Sequence, residues 1–119
     1  MPTRFALSEA AIEQGTYSID VSFTDEAGEP VTPNAGLKWS LVKSDRATIV
    51  NAREDVDIAV PASTVTVILS GADLTGDTGR VITWRYLVIE GTYDGSLGTD
   101  LPIKDHVQFP IVDVAKVPL

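Results

Sequence analysis

The chain is dominated by short runs in which apolar and polar residues take turns. In TYSIDVSFT, residues 16–24, Tyr17, Ile19, Val21 and Phe23 alternate with Thr16, Ser18, Asp20, Ser22 and Thr24. A period of two is what a half-buried strand requires. GLKWSLVK sets Leu37, Trp39 and Leu41 on one face, and TVTVILS does the same with Val65, Val67 and Leu69. VDIAV repeats the pattern at Val56, Ile58 and Val60 before Pro61, and the β-branched Thr48, Ile49 and Val50 of RATIVN predict another short strand.

RVITWRYLVIE, residues 80–90, is the longest strand candidate. Its even face carries Ile82, Trp84, Tyr86 and Val88, and its odd face mixes Val81, Leu87 and Ile89 with Thr83 and Arg85. The mixed face is expected outward and the even face in the core. HVQFPIVDV supplies Val107, Phe109 and Ile111, with Pro110 predicting an edge position or a bulge. DEAGEP, GADLTGDTGR and GTYDGSLGTDLP carry turn chemistry between the runs, the last as a hairpin-like connection.

SEAAIEQ, residues 8–14, is the one helix candidate, and it is too short to stand alone. Residues 2–9 instead read as an arm and 10–14 as a first strand or turn. Short strands at regular spacing, about seven in number, predict an all-β sandwich. We divide the chain into an N-terminal arm or first strand, 1–14, and a sandwich, 15–119. Trp39 and Trp84 are expected as the largest core members, each stabilising by roughly 3 kcal/mol on burial.

Composition narrows the function. With 9 Lys and Arg against 17 Asp and Glu, the net charge is -8, which argues against nucleic-acid phosphates and anionic membranes as partners. There is no run of about 18 apolar residues that would span a bilayer. The absence of cysteine excludes disulfides and thiolate metal sites and favours synthesis in a reducing cytoplasm. MPTRFALSEAA lacks an apolar core of signal-peptide length, and the chain reads as a complete small gene product.

The chemistry-bearing residues point away from catalysis. His106 is the only histidine, no G-x-S-x-G elbow is present, and the expected place for His106 is a surface strand end. GADLTGDTGR lacks the G-x-x-x-x-G-K-[ST] pattern of a phosphate loop. Asp25, Glu26, Glu29, Asp73, Asp77, Asp94, Asp100 and Asp105 gather in loops, where solvated turns are the expectation over calcium sites. No catalytic residue, metal ligand or cofactor is assigned.

The stretch VSFTDEAGEPVTPNAGLKWSL, residues 21–41, carries a family resemblance. Its Asp25-x-x-Gly28-x-Pro30-Val31 between two strands resembles bacterial immunoglobulin-like modules, over residues 15–114. A compact, acidic, cysteine-free domain of this kind is similar to accessory virion proteins of tailed bacteriophages. The resemblance implies an immunoglobulin-like sandwich and a structural virion protein made in the host bacterial cytoplasm. It would decorate the capsid or bind tail or neck proteins, in repeated copies or as a homo-oligomer. The alternative is a carbohydrate- or cell-surface-binding module.

Contacts are expected through the arm, at Phe5 and Leu7, and through the outward sheet face, at Ile68, Val81, Leu87 and Ile89, with Tyr93 near a loop. On that assignment Leu87→Asp would weaken self-association at little cost to stability.

Overall fold

The alternating runs form the strands of a computed structural model that describes residues 3–7, 11, 12, 15–77 and 79–113. In chain order these are β1 (Thr3–Leu7), β2 (Ala11–Ile12), β3 (Thr16–Phe23), β4 (Lys38–Lys43), β5 (Val56–Asp57), β6 (Thr64–Ser70), β7 (Ile82–Gly95) and β8 (Gly98–Val112). A 3-10 turn, Gly71–Leu74, follows β6. One sheet has the order β1-β3-β6 and the other β2-β8-β7-β4-β5. All pairings are antiparallel except β2 with β8.

The protein is an all-β sandwich. Trp39 is buried on β4, in the five-stranded sheet. Where disulfide-bearing sandwiches bridge the sheets, this cysteine-free core relies on packing. Ile19, Val21, Leu41, Leu69, Leu87, Ile89, Phe109 and Ile111 are all within 1% of full burial. Tyr17 stacks on Phe109 across that core, ring centroids 5.6 Å apart.

The motif at 25–31 works as its residue types suggest. Asp25 Oδ1 accepts the Ala27 and Glu29 amides at 2.9 and 3.0 Å, and Gly28 takes φ 81°. The chain then returns antiparallel to itself, with Thr24 bridging Pro30 and the Val31 amide bonding Phe23 O. Val31 is thereby seated against the core.

The expected face of β7 is inverted. Thr83, Arg85, Leu87 and Ile89 point inward, at 2%, 2%, 0% and 0% exposure, while Ile82 and Trp84 stand 48% and 47% exposed outside. Apolar content misleads here because the inner face ends in polar groups that find partners for all but the buried Arg85 Nε. Thr83 Oγ1 accepts the Asp77 amide, and Arg85 donates to Asp77 Oδ1, Thr75 O and Trp84 O. Leu87 and Ile89 are therefore core residues, and Leu87→Asp would place a charge in the sandwich interior.

Three further expectations change. RATIVN is a turn-rich loop with a single bridge, Val42 to Ile49, because Arg46, Asn51 and Ala52 adopt positive φ. VDIAV is a strand only at Val56–Asp57, and Val60 is 79% exposed. GTYDGSLGTDLP is the tip of one long hairpin, with β7 and β8 paired from Ile82–Val112 out to Gly95–Gly98. The expected arm is edge strand β1 over residues 3–7, while Ala11 and Ile12 pair with Ile111 and Val112.

Candidate interaction surface on the five-stranded sheet

Hydrogen-bond alternation determines what β8 offers to solvent. On β4, odd residues bond the loop side, with the Ile58 amide on Leu37 O and the Lys43 amide on Thr48 O. Even β4 positions therefore bond β7, odd β7 positions bond β8, and even β8 positions face the free edge. Pro102 and Pro110 both fall at even positions, so neither removes a bond to β7.

The outer face of this sheet has an apolar end and a polar trough. Ile82 and Trp84 on β7 stand opposite Val112 and Pro110 on β8, all four at least partly exposed. Further along, Tyr86 and Val88 stand opposite Gln108 and His106. The loop after β4 rises over these residues and encloses an open trough of about 500 Å³. Val42, Arg46, Tyr86, Lys104 and His106 line it.

The loop is held in shape by Asp45. Its carboxylate accepts the Thr48 hydroxyl and the Thr48 and Ala47 amides, bonds that lower its pKa to about 2. The turn carries Arg46, whose guanidinium lies 5.0 Å from the Tyr86 ring centroid. His106 meets the same ring edge-on at 5.4 Å. The trough thus presents a cation, a phenol ring and an imidazole side by side, bordered by Glu54, Asp55, Glu90 and Asp105. This surface can grip an apolar side chain at one end and polar groups at the other.

The acidic loop residues are engaged in structural bonds. Asp73, 1% exposed, accepts Arg53 Nε and Asn51 Nδ2 at 2.8 Å each and the Ser70 amide at 3.2 Å. Burial pushes its pKa up, but these donors outweigh it and hold the carboxyl below its usual range. Asn34 Nδ2 reaches both Asp94 and Asp100. Among the described residues, no group of three or more His, Cys, Asp or Glu side chains is placed to hold a metal ion. Among them, too, no helix is long and apolar enough to cross a membrane.

The sequence-derived contact residues scatter. Ile68 is 62% exposed on β6, Val81 is partly exposed just before β7, and Phe5 is partly buried against the core. Leu7 pairs with Ile19 in the backbone ladder, and its side chain lies outside the described residues. Leu87 and Ile89 are interior. Tyr93, expected at a loop contact, is 3% exposed. Its hydroxyl donates to Glu26 Oε1 at 2.8 Å, which lowers the Glu26 pKa and raises that of the phenol.

Ile82 and Trp84 are the surface residues that sequence reasoning placed in the core, whereas Tyr86, 9% exposed, is covered and His106 lies on the surface as expected. The signal was present in Thr83 and Arg85, whose inward placement requires an acid such as Asp77 nearby. Comparison of the chain with protein-family models, with curated proteins and with solved structures finds no match in any of the three.

Proposed function

We propose that the chain is a non-catalytic binding domain that docks a protein partner on the outer face of its five-stranded sheet. The observation that carries this reading is Trp84, 47% exposed beside the 48% exposed Ile82 on an otherwise ordered sheet face. Large aromatic side chains left in solvent next to aliphatic ones are what interface centres are made of. The polar trough supplies the rim, with Arg46, Lys104 and His106 among acidic neighbours. The one histidine is engaged with an aromatic ring, an arrangement suited to packing and not to nucleophile activation.

The finer reading places the domain in the particle of a tailed phage, as a capsid decoration or a tail or neck accessory. It is supported by the resemblance at Asp25–Val31, the two-sheet β-sandwich and the net charge of -8 without cysteine. Quantitative mass spectrometry of purified particles tests it. Hundreds of copies indicate a shell or tube coat, and a few to a dozen a neck or fibre part. Absence from particles removes this setting.

A second reading, a carbohydrate- or cell-surface-binding module, draws on the same exposed indole, which is a stacking surface for a sugar ring. Trp84 fluorescence titrated with glycans tests it, and a saturable change lost in Trp84→Ala would place this reading first.

A further inference from the structure

Among the described residues, the strand edges of the five-stranded sheet carry devices against edge-to-edge pairing. β2 and β5 are two residues long. β8 turns Pro102, Lys104, His106, Gln108 and Pro110 toward its free side. Prolines, charges and shortness are the usual means of blunting an edge. β6, Thr-Val-Thr-Val-Ile-Leu-Ser, has no charge, no proline and no glycine, and it ends the three-stranded sheet.

Its open groups can be identified. The Phe23 amide bonds Ser63 O, and the β3–β6 register continues from that pair through Val21–Val65, Ile19–Val67 and Tyr17–Leu69. Odd residues of β6 therefore bond β3, and even residues direct their N–H and C=O outward. The Ser70 amide confirms the parity, since it turns away from β3 to Asp73 Oδ2. Thr64, Thr66 and Ile68 remain as a row of outward backbone groups.

We infer that β6 pairs antiparallel with β6 of a second copy of this chain about a two-fold axis at Thr66. In that register Thr66 faces its own counterpart, and Thr64 of each copy faces Ile68 of the other. All three outward residues on each strand then bond, and pairing stops where the Ser70 amide is already taken. A shift by one pair in one direction would ask Ser70 for that amide, and in the other would set Ile68 against Ala62, outside β6, so the open pattern within the strand is symmetric about Thr66. The cross-strand pairs cover Ile68, 62% exposed in the single chain, with the Thr64 methyl.

Charge permits the same occupant. Two chains of net charge -8 repel over most of their surface, but β6 brings no charge to the contact. The nearest acid on the adjoining strand, Asp20, accepts the Thr66 hydroxyl at 2.6 Å. Across the pair the two Asp20 residues would stand three strand spacings apart, about 14 Å, beyond the screening length at physiological salt. This contact is separate from the partner surface proposed above, which lies on the other sheet.

The test is amide hydrogen exchange by NMR on the full chain, with sedimentation, from low micromolar to about 1 mM, a range suited to a small interface. The inference expects a concentration-dependent dimer. As it forms, exchange at Thr64, Thr66 and Ile68 slows about tenfold or more, while Val65, Val67 and Leu69 are protected throughout. Thr66→Pro, which removes the hydroxyl bond to Asp20 but no backbone bond to β3, and Ile68→Lys are expected to be monomeric with unchanged exchange at the odd positions. A chain monomeric to the top of the range overturns the inference. So does a dimer that leaves the Thr66 amide unprotected, or one that survives both substitutions. Trp84→Ala leaves this dimer intact, so loss of the proposed partner surface reads out separately.

Discussion

Arg53 Nε stands 2.8 Å from Asp73 Oδ1, linking the loop before β5 to the 3-10 turn after β6. The two groups are unequal, the Asp73 side chain being 2% exposed and that of Arg53 42%. Truncating Arg53 strands a buried carboxylate on Asn51 and Ser70 alone. Arg53→Ala is expected to cost about 1–2 kcal/mol, the exposed cation being discounted for screening. Because the folded Asp73 pKa is lowered, its contribution is present above the ordinary carboxylate range and is lost as pH falls through the depressed value. Urea unfolding of both forms at neutral pH and in acid measures it, and the wild-type advantage should shrink in acid.

On β7 the two faces should respond unequally. Leu87→Ala, at a fully buried site, is expected to cost about 2–5 kcal/mol. Trp84→Ala, at a half-exposed site, should cost about 1 kcal/mol or less. Thermal unfolding of the two variants checks the face assignment, and a reversed order would show the even face to be the core.

The Asp45 turn should persist deep into acid. Its carboxyl, bonded foremost by the Thr48 side chain, titrates at about 2. The turn's stabilisation is full above the unfolded carboxylate range and disappears only as pH falls through that value. Carbon-13 titration of the Asp45 carboxyl reports this directly. Thr48→Val should move the midpoint upward.

Gly28 isolates a purely conformational effect. At φ 81° an added Cβ meets nothing within 4 Å, so space is not the constraint. Gly28→Val is expected to cost about 1–2 kcal/mol from the left-handed backbone alone. Gly28→Asn should cost less, since asparagine tolerates that region. Denaturant midpoints of the two variants give the comparison.

Much of the architecture was legible because Tyr17 to Phe23 and Val65 to Leu69 each bury one clean face. The turn at Asp25–Val31 was legible because an Asp acceptor and a positive-φ Gly have few other uses in that spacing. The β7 face was not, because periodicity reports that two faces differ and not which one is inside. Arg85 looked like a surface residue, and only the return of Asp77 to within 3.0 Å makes its burial stable. The candidate surface was hidden by the same inversion, since Trp84 was counted as core. The edge at β6 was readable as an uncharged strand, but only the sheet order shows that no described strand pairs with its far side.

The central claim is that the outer face of the five-stranded sheet is where a partner docks. A photo-crosslinking residue at position 84, in chains assembled into purified phage particles, tests it most directly, with position 18 on the exposed face of the other sheet as control. The account predicts crosslinks from position 84 to one defined capsid, tail or neck protein and few from position 18. Crosslinks from 18 alone, or none from 84 in particles that contain the chain, would contradict it.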